Sequence, residues 1–522
     1  MDASRALPQI RGKRLFVDGE PFIMLSGELH NSSASSLEYM KAVWPRLKAM
    51  HLNSVIATVS WELLEPEEGA FDFALVDGLI EAAQAYGMKL ALCWFATWKN
   101  AASIYVPKWV KTDFARFPRA KGKDGKINRA ISCFSKECME ADARAFAALM
   151  RHLKETDKAR TVILVQVENE AGLLDIDRDY SKAATEAFTA PVPKALADYL
   201  KKHEAALSPF LSERVDFSKL NGSWAQAFTK DAEEIFMAFY TALFMEHVTH
   251  AGKQMYALPM YANAWTVQSK GEPGGFHPSG GPVADLHDIW RCAAPSLDAL
   301  APDLYLENFK QECAAYTRIE GNPLLIPELR RDQWAVASIC YAIGEHDAIC
   351  VAPFGIDGMS AAELSAEARV QDAAEVIPAG SFSESIQSGY QMLENMLPII
   401  IKHQGKGTMH GIMQDRTPTD LIRCAAYDLK VRYNHPISSG MPLAGGIVIA
   451  LDEQTFLVAG MGFSVTFISR HFGETEYVLI DEGAFEGEDF VAGRRLNGDE
   501  LGVSLKETPK VLKVQLFSYN HD

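Results

Sequence analysis

The sequence is short of positive charge, with 51 Lys plus Arg against 68 Asp plus Glu and a formal net charge of −17. That balance works against a phosphate backbone or an anionic lipid surface as partner, so no nucleic acid and no membrane are expected, and a neutral ligand fits better. A disulfide framework is missing too. The eight cysteines (93, 133, 138, 292, 313, 340, 350 and 424) are scattered with no CxxC spacing, which points to buried thiols and leaves the redox compartment open. No run of about 18 apolar residues occurs, which excludes a membrane-spanning helix. Met1-Asp2-Ala3-Ser4-Arg5 has no basic region followed by an apolar stretch. The chain as it stands is expected in the cytoplasm, or in the periplasm or outside the cell if a leader has been removed. Internal repeats, low-complexity tracts and long charge runs are absent, no Trp lies beyond Trp334, and nothing sets the oligomeric state.

What is present is enough for a large core. Over 522 residues, 48% are hydrophobic and 23% charged, which predicts a folded chain with one large domain and a smaller companion. Eight short apolar runs alternate with longer helical patterns: 22–27, 54–60, 89–95, 161–167, 254–260, 301–306, 323–327 and 348–353. Most are continuous apolar stretches, as in Leu90-Ala91-Leu92-Cys93-Trp94-Phe95, the pattern of parallel strands buried on both faces. Between them, segments such as 74–86, 140–154 and 232–250 repeat apolar residues at three and four. This order predicts a (β/α)8 TIM barrel over 1–405, with an insertion at about 171–230 between strands 4 and 5. A last helix is expected over 383–403, ended by Gly405-Lys406-Gly407. Short alternating strands follow, such as 446–451, 455–459, 464–469 and 476–480, and they predict an all-β sandwich over 406–522.

A barrel of this kind carries its site at the C-terminal ends of the strands. The residues expected there are rich in acids, amides and aromatics: Glu28, His30 and Asn31 after strand 1, then Trp61, Glu62 and Glu65. Trp94 and Trp98 follow, then Glu168-Asn169-Glu170, Asn263 and Trp265, Asp303 and Tyr305, Glu328 and Asp357. Five of the nine Trp (61, 94, 98, 265 and 334) fall at or just past an expected strand end. Flat aromatic faces suit the C–H faces of a pyranose, and carboxylates and amides suit its hydroxyls, so a carbohydrate substrate is expected. Glycosidic cleavage needs two carboxylates facing each other across the sugar. Glu170 and Glu328 are the pair chosen, because strands 4 and 7 lie across the barrel mouth from one another.

Gln166-Val167-Glu168-Asn169-Glu170-Ala171-Gly172 resembles the acid/base motif of glycoside hydrolase family 35 β-galactosidases. Ser60-Trp61-Glu62-Leu63-Leu64-Glu65-Pro66 resembles that family's strand 2 motif, and 18–30 its start; the resemblance spans most of 12–360. The terminal β domain resembles the accessory domain of a small bacterial branch. The resemblance implies a retaining β-galactosidase without cofactor, with Glu170 as acid/base, Glu328 as nucleophile, Asn169 donating to the sugar 2-hydroxyl and Tyr305 orienting the nucleophile. His30, Asn31, Trp61, Glu62, Glu65, Trp98 and Trp265 complete the expected substrate-binding set, with Trp61 and Trp98 as pocket walls. Arg330 or Arg331 is a candidate for keeping Glu328 charged. The chain departs from the family at Asn31, Glu62 and Leu64, in Cys93-Trp94-Phe95-Ala96-Thr97-Trp98, and after Glu328, all positions that shape the sugar pocket. Branch members act on galactose side chains of plant polysaccharides, which makes cell-wall side chains the expected substrate.

The bland alternatives stay in view. A lone Glu at a strand end is more often a structural acid than a catalyst, and Glu28, Glu62 and Glu65 are as easily part of a salt-bridge network as sugar ligands. No His or Cys stands at zinc spacing, so no metal is expected. The alternatives to β-galactosidase are another exo-glycosidase, such as an α-L-arabinopyranosidase, and a carbohydrate-binding barrel without turnover.

Overall fold

The computed structural model describes residues 6–269, 271–358 and 380–520; Met1 to Arg5, where a leader was sought, lie outside them. Eight strands form one sheet: β1 (Met24–Leu25), β2 (Ser54–Ser60), β3 (Lys89–Phe95), β4 (Val162–Val167), β5 (Met260–Trp265), β6 (Ala299–Leu304), β7 (Leu325–Leu329) and β8 (Cys350–Pro353). Their order is β1-β8-β7-β6-β5-β4-β3-β2, each strand beside its neighbour in sequence except that β1 follows β8. Pairing is parallel along the run from β2 to β6 and between β8 and β1. A helix follows each strand: α1 (Leu37–Ala49), α2 (Ala74–Ala85), α3 (Lys136–Thr156), α4 (Ala232–Met255), α5 (His287–Ala293), α6 (Phe309–Thr317), α7 (Ala335–His346) and α8 (Gly380–His403). This is the expected (β/α)8 barrel.

Local chemistry sets the elements. Ser135 caps α3 by accepting the N–H of Cys138, and that helix buries one stripe that includes Ala141, Ala145, Phe146, Leu149 and Leu153. The strands β3 and β4 are buried almost throughout, as two-sided parallel strands must be.

Strand 5 is a correction. The run 254–260 is not a strand: α4 continues to Met255, and the strand is Met260–Trp265. Its sequence, Met-Tyr-Ala-Asn-Ala-Trp, places a buried polar Asn263 in mid-strand, so a search for continuous apolar runs passes over it. Glu328 is likewise inside β7 rather than after it. The insertion after β4 is helical, with segments at Lys182–Thr189, Lys194–Lys202, Pro209–Ser212 and Trp224–Ala227.

By packing, the chain forms two compact units. One comprises Met1–Glu20, Asn31–Ala42 and Ser54–Pro327; the other comprises Pro21–His30, Val43–Asn53 and Glu328–Asp522. The division falls inside β7. In the second unit, ten strands follow α8 in two antiparallel sheets. These are β9 (Met409–Met413), β10 (Thr419–Cys424), β11 (Tyr427–Tyr433), β12 (Gly445–Ala450), β13 (Thr455–Met461), β14 (Phe463–Ser469), β15 (Glu474–Glu486), β16 (Asp489–Arg495), β17 (Val503–Leu505) and β18 (Lys510–Tyr519). One sheet runs β9-β12-β13-β18-β15-β16 and the other β10-β11-β14-β17. Alternate residues of both, among them Leu429, Val431, Val448, Phe456, Val465 and Val514, enclose one apolar core, as the sequence pattern predicts for a sandwich. Helix α7 lies against this sandwich where side chains are absent. A Cβ on Gly344 would stand 2.9 Å from Gly411 Cα, so the close approach requires glycine at both positions.

Candidate active site

The end of β4 carries the most constrained backbone near the expected site. Glu168 and Glu170 both adopt left-handed conformations, φ 61 and 47, and opposite them Asn100 and Ala101 do the same, φ 50 and 52. Non-glycine residues rarely take this region, and they persist in it only where the surroundings over-determine them. Here several hydrogen bonds do so. Asn169 N–H donates to Trp98 O (3.2 Å) and Ala101 N–H to Glu170 O (3.1 Å). Trp98 N–H donates to Glu168 Oε2 at 2.7 Å, and Gln166 Nε2 to Glu168 O at 3.0 Å.

These contacts hold Glu170 with its side chain 95% buried. Its Oε2 accepts Asn100 Nδ2 at 2.6 Å, and its backbone N–H donates to Asn263 Oδ1 at 3.0 Å. Asn263 passes the network on, donating from Nδ2 to Asp303 Oδ2 at 2.7 Å. Asn263 and Asp303 point to the same side of the sheet, since β5 and β6 pair with Asn263 beside Ala301 and Trp265 beside Asp303. Among the described residues, Glu170 and Asp303 each bring a carboxylate oxygen within 4.8 Å of the other, the kind of oxygen that hard cations take. Asn169 accepts Lys99 Nζ at 3.0 Å and Asn100 N–H at 3.4 Å on its Oδ1, which turns its NH2 the other way. Lys99 is buried and lies 5.0 Å from the Phe95 ring centroid, so a cation sits within the wall.

Glu168 has a different task. It and Asp142 of α3 are fully buried and hydrogen-bonded to each other, and burial raises the pKa of both, for Glu168 well above the usual carboxylate range. Asp142 also accepts Trp94 Nε1 (2.8 Å) and Thr97 Oγ1 (2.5 Å). The pair shares a proton and ties the loops after β3 and β4 to α3.

The other expected ligands divide. Trp61 is fully buried and donates its indole N–H to Glu65 Oε2 at 2.7 Å, while Glu65 Oε1 accepts Gly69 N–H at 2.7 Å. Burial raises the Glu65 pKa, against the lowering effect of those two donors. The two side chains satisfy each other, so neither offers the open face expected of a pocket wall or a sugar ligand. Trp98 is 1% exposed with its ring edge-on to Phe244, and Trp94 points to α3; the rim of open indoles is not what forms. Trp265 is half-buried and Tyr305 is exposed, at 39%. Asn31 and Glu62 line a cavity of about 390 Å3 with Tyr105, Leu63 and Leu79, to which Asn169, Glu170 and Asp303 contribute nothing. Glu62 also pairs with Lys111 at 3.2 Å.

In the second unit, Glu328 is a buried residue near the C-terminal end of β7. His30 Nδ1 lies 3.1 Å from Asp357 Oδ1, and its Nε2 lies 3.2 Å from Arg331 Nη1. Arg331 also donates to Gly355 O, and Arg330 binds Asp332 and stacks on Trp334. Lys99 and Asn100 were not read from the sequence; the signal available was a Lys-Asn step directly after Trp98, where β3 ends.

The barrel part matches a β-galactosidase family. Residues 35–237 match the family model of glycoside hydrolase family 42, described as beta-galactosidase, and 386–506 match a domain of unknown function, DUF5597. Among curated proteins, the chain is 29% identical over 180 residues to a beta-galactosidase of Xanthomonas manihotis, covering 33% of this chain and 27% of that one. It is 28% identical over 176 residues to human beta-galactosidase-1-like protein 3, covering 33% and 25%. The chain thus spans about a quarter of the length of these relatives. A catalytic mutant of a family 42 β-galactosidase from G. stearothermophilus superposes with a TM-score of 0.50 at 11% identity, over 94% of this chain and 98% of that one, a likeness of fold. The matching model is thus that of family 42, over less than half of the chain, and the resemblance to family 35 is not supported.

Proposed function

We propose that the protein is a retaining glycoside hydrolase that releases terminal β-linked galactose from oligo- or polysaccharides, with plant cell-wall side chains as the substrate class. The observation that carries this reading is the buried Glu170 carboxyl on a strained turn at the end of β4, held by Asn100 and, through its backbone, by Asn263. The match of 35–237 to a model described as beta-galactosidase supports it.

In this mechanism Glu170 protonates the leaving oxygen, Glu328 attacks the anomeric carbon, and Glu170 then takes a proton from the water that hydrolyses the glycosyl-enzyme. Strand order supports the pairing, since β4 and β7 are separated by two strands in the sheet. A retaining reaction asks that the two carboxyls stand about 5 to 5.5 Å apart. Asn169, with its oxygen engaged by Lys99, presents its NH2 to the sugar 2-hydroxyl. Tyr305 orients the nucleophile, and Trp265 supplies the half-open aromatic face. Residues 1–405 form the catalytic part and 406–522 an accessory part.

The test is a panel of aryl glycosides with the anomer first formed followed by NMR. Hydrolysis of the β-galactoside with retention is expected and is lost on Glu170→Gln or Glu328→Gln; near wild-type rates in either variant overturn the assignment. Faster turnover of the α-L-arabinopyranoside would move the specificity to that sugar.

A further inference from the structure

A second cavity in the first unit, about 970 Å3, has Asn100 and Ala101 in its lining. Its walls are the hairpin formed by Arg119–Lys121 and Ile127–Ile131, the segment 174–180 after β4, and the loop 273–276. We infer that this cleft is the leaving-group site of the enzyme and that it takes at least two further units of a neutral oligosaccharide chain. The inference rests on the reading of Glu170 as the general acid.

Position comes first. A general acid must reach the oxygen it protonates within hydrogen-bond distance, so the leaving group begins beside the Glu170 carboxyl. Asn100 holds that carboxyl at 2.6 Å with its amide and also lines the cleft, so the two are joined by one side chain.

Size comes second. Pockets for drug-sized ligands run from about 300 to 1,000 Å3, and one sugar unit is smaller than such a ligand, so this volume exceeds what one unit fills.

The chemistry of the walls comes third. Three basic side chains line the cleft (Lys123, Lys126, Arg129) and three acids (Asp124, Asp175, Asp177), so the formal charges cancel. Most of them are already paired within the wall, Lys126 with Asp124 at 2.7 Å and Lys123 with Asp177 at 3.8 Å. A uronate or phosphate chain would find no net field to hold it, whereas hydroxyls can exchange hydrogen bonds with such groups. Two aromatic rings complete the wall. Tyr180 is held by Asp177 through its hydroxyl at 2.9 Å, and Phe276 is 71% exposed at the tip of its loop. An apolar ring that open beside a polar cleft lacks a structural partner of its own, and it suits the C–H face of a sugar.

The experiment uses the full chain with β-1,4-galacto-oligosaccharides of two to five units, an aryl β-galactoside, and oligogalacturonides of matching length. For the wild type, kcat/KM is expected to rise by about tenfold from two units to four and then level off, with no gain on the acidic chains. Phe276→Ala, a change at an exposed ring that leaves the core untouched, is expected to flatten the rise, and Phe276→Tyr to keep it. Aryl galactoside turnover with a length-independent kcat/KM, or preference for the acidic chains, overturns the inference and leaves the galactosidase reading standing. No turnover of any member, aryl galactoside included, overturns that reading and the inference with it.

Discussion

After β2 the chain reads Trp61-Glu62-Leu63-Leu64-Glu65, and after β4 it reads Glu168-Asn169-Glu170. Both segments put carboxylates beside aromatic or amide groups at a strand end, and on paper both look like sugar sites. After β2, the Glu65 carboxylate takes its donors from its own turn, the Trp61 indole and the Gly69 N–H, and the indole is consumed in the process. After β4, the Glu170 carboxyl takes its donor from the loop after β3, and its backbone is held by β5. A carboxylate satisfied locally becomes a clasp, while one held by the loop after β3 and by β5 is fixed in place by parts of the chain far from it in sequence. The backbone differs too, since Glu168 and Glu170 sit in left-handed conformations while no residue of 61–65 does.

The comparison can be broken where the difference is greatest. Glu170→Gln is expected to lower kcat/KM for an aryl β-galactoside by about 10²- to 10⁴-fold with the melting temperature little changed; a stability loss without a rate loss would make Glu170 the clasp. The converse holds for Trp61→Phe. It leaves the buried Glu65 one donor short, which costs about 1–3 kcal/mol, read as a lower midpoint in denaturant with KM unchanged. A raised KM at constant stability would return Trp61 to the pocket wall. Asn100→Ala removes the donor to Glu170 and is expected to cost about tenfold in kcat and to move the alkaline limb of the pH profile to higher pH, because the general acid loses a bond that favours its charged form.

The smallest effect is on stability against pH. His277 is buried, which opposes its charged form, but Glu234 at 2.7 Å and Glu272 at 3.3 Å more than offset this and raise its pKa. The folded state therefore holds that proton more tightly than the unfolded chain. The stability it contributes is fully present below about pH 6.5 and is lost as pH rises through the folded value. His287 has the opposite sign: burial depresses it to about 3, so its contribution is lost as pH falls from about 6.5 toward that value. Melting temperatures across pH should fall on both sides, and His277→Gln should flatten the alkaline side alone.

Much of the fold was legible, and the reasons are local. Lys89–Phe95 and Ser54–Ser60 were recognisable as strands because, Lys89 apart, every residue is apolar or small, and both faces are buried. β5 was misplaced because its inner face carries Asn263, a polar residue that is part of the site. The same cause hid half of the site. Glu170 could be read from its Asn-Glu step, but Lys99 and Asn100 gain meaning only when the loop after β3 is laid against β4. The tryptophans misled in the opposite sense: a count at strand ends could not tell an open indole from Trp61 or Trp94, whose N–H groups are bound to carboxylates in the interior.

The sequence alone determined the alternation of eight buried strands with helices, the sandwich that follows them, and the carboxylates at the ends of strands 4 and 7. Those depend on periodicity and on residue type, which are properties of short segments. Only the tertiary structure decided which acids are satisfied by their own turn, which are held by neighbouring strands, and that burial raises the pKa of the Glu168–Asp142 pair. Burial and hydrogen-bond partners set the charge and orientation of a carboxyl, and both come from parts of the chain far from it in sequence.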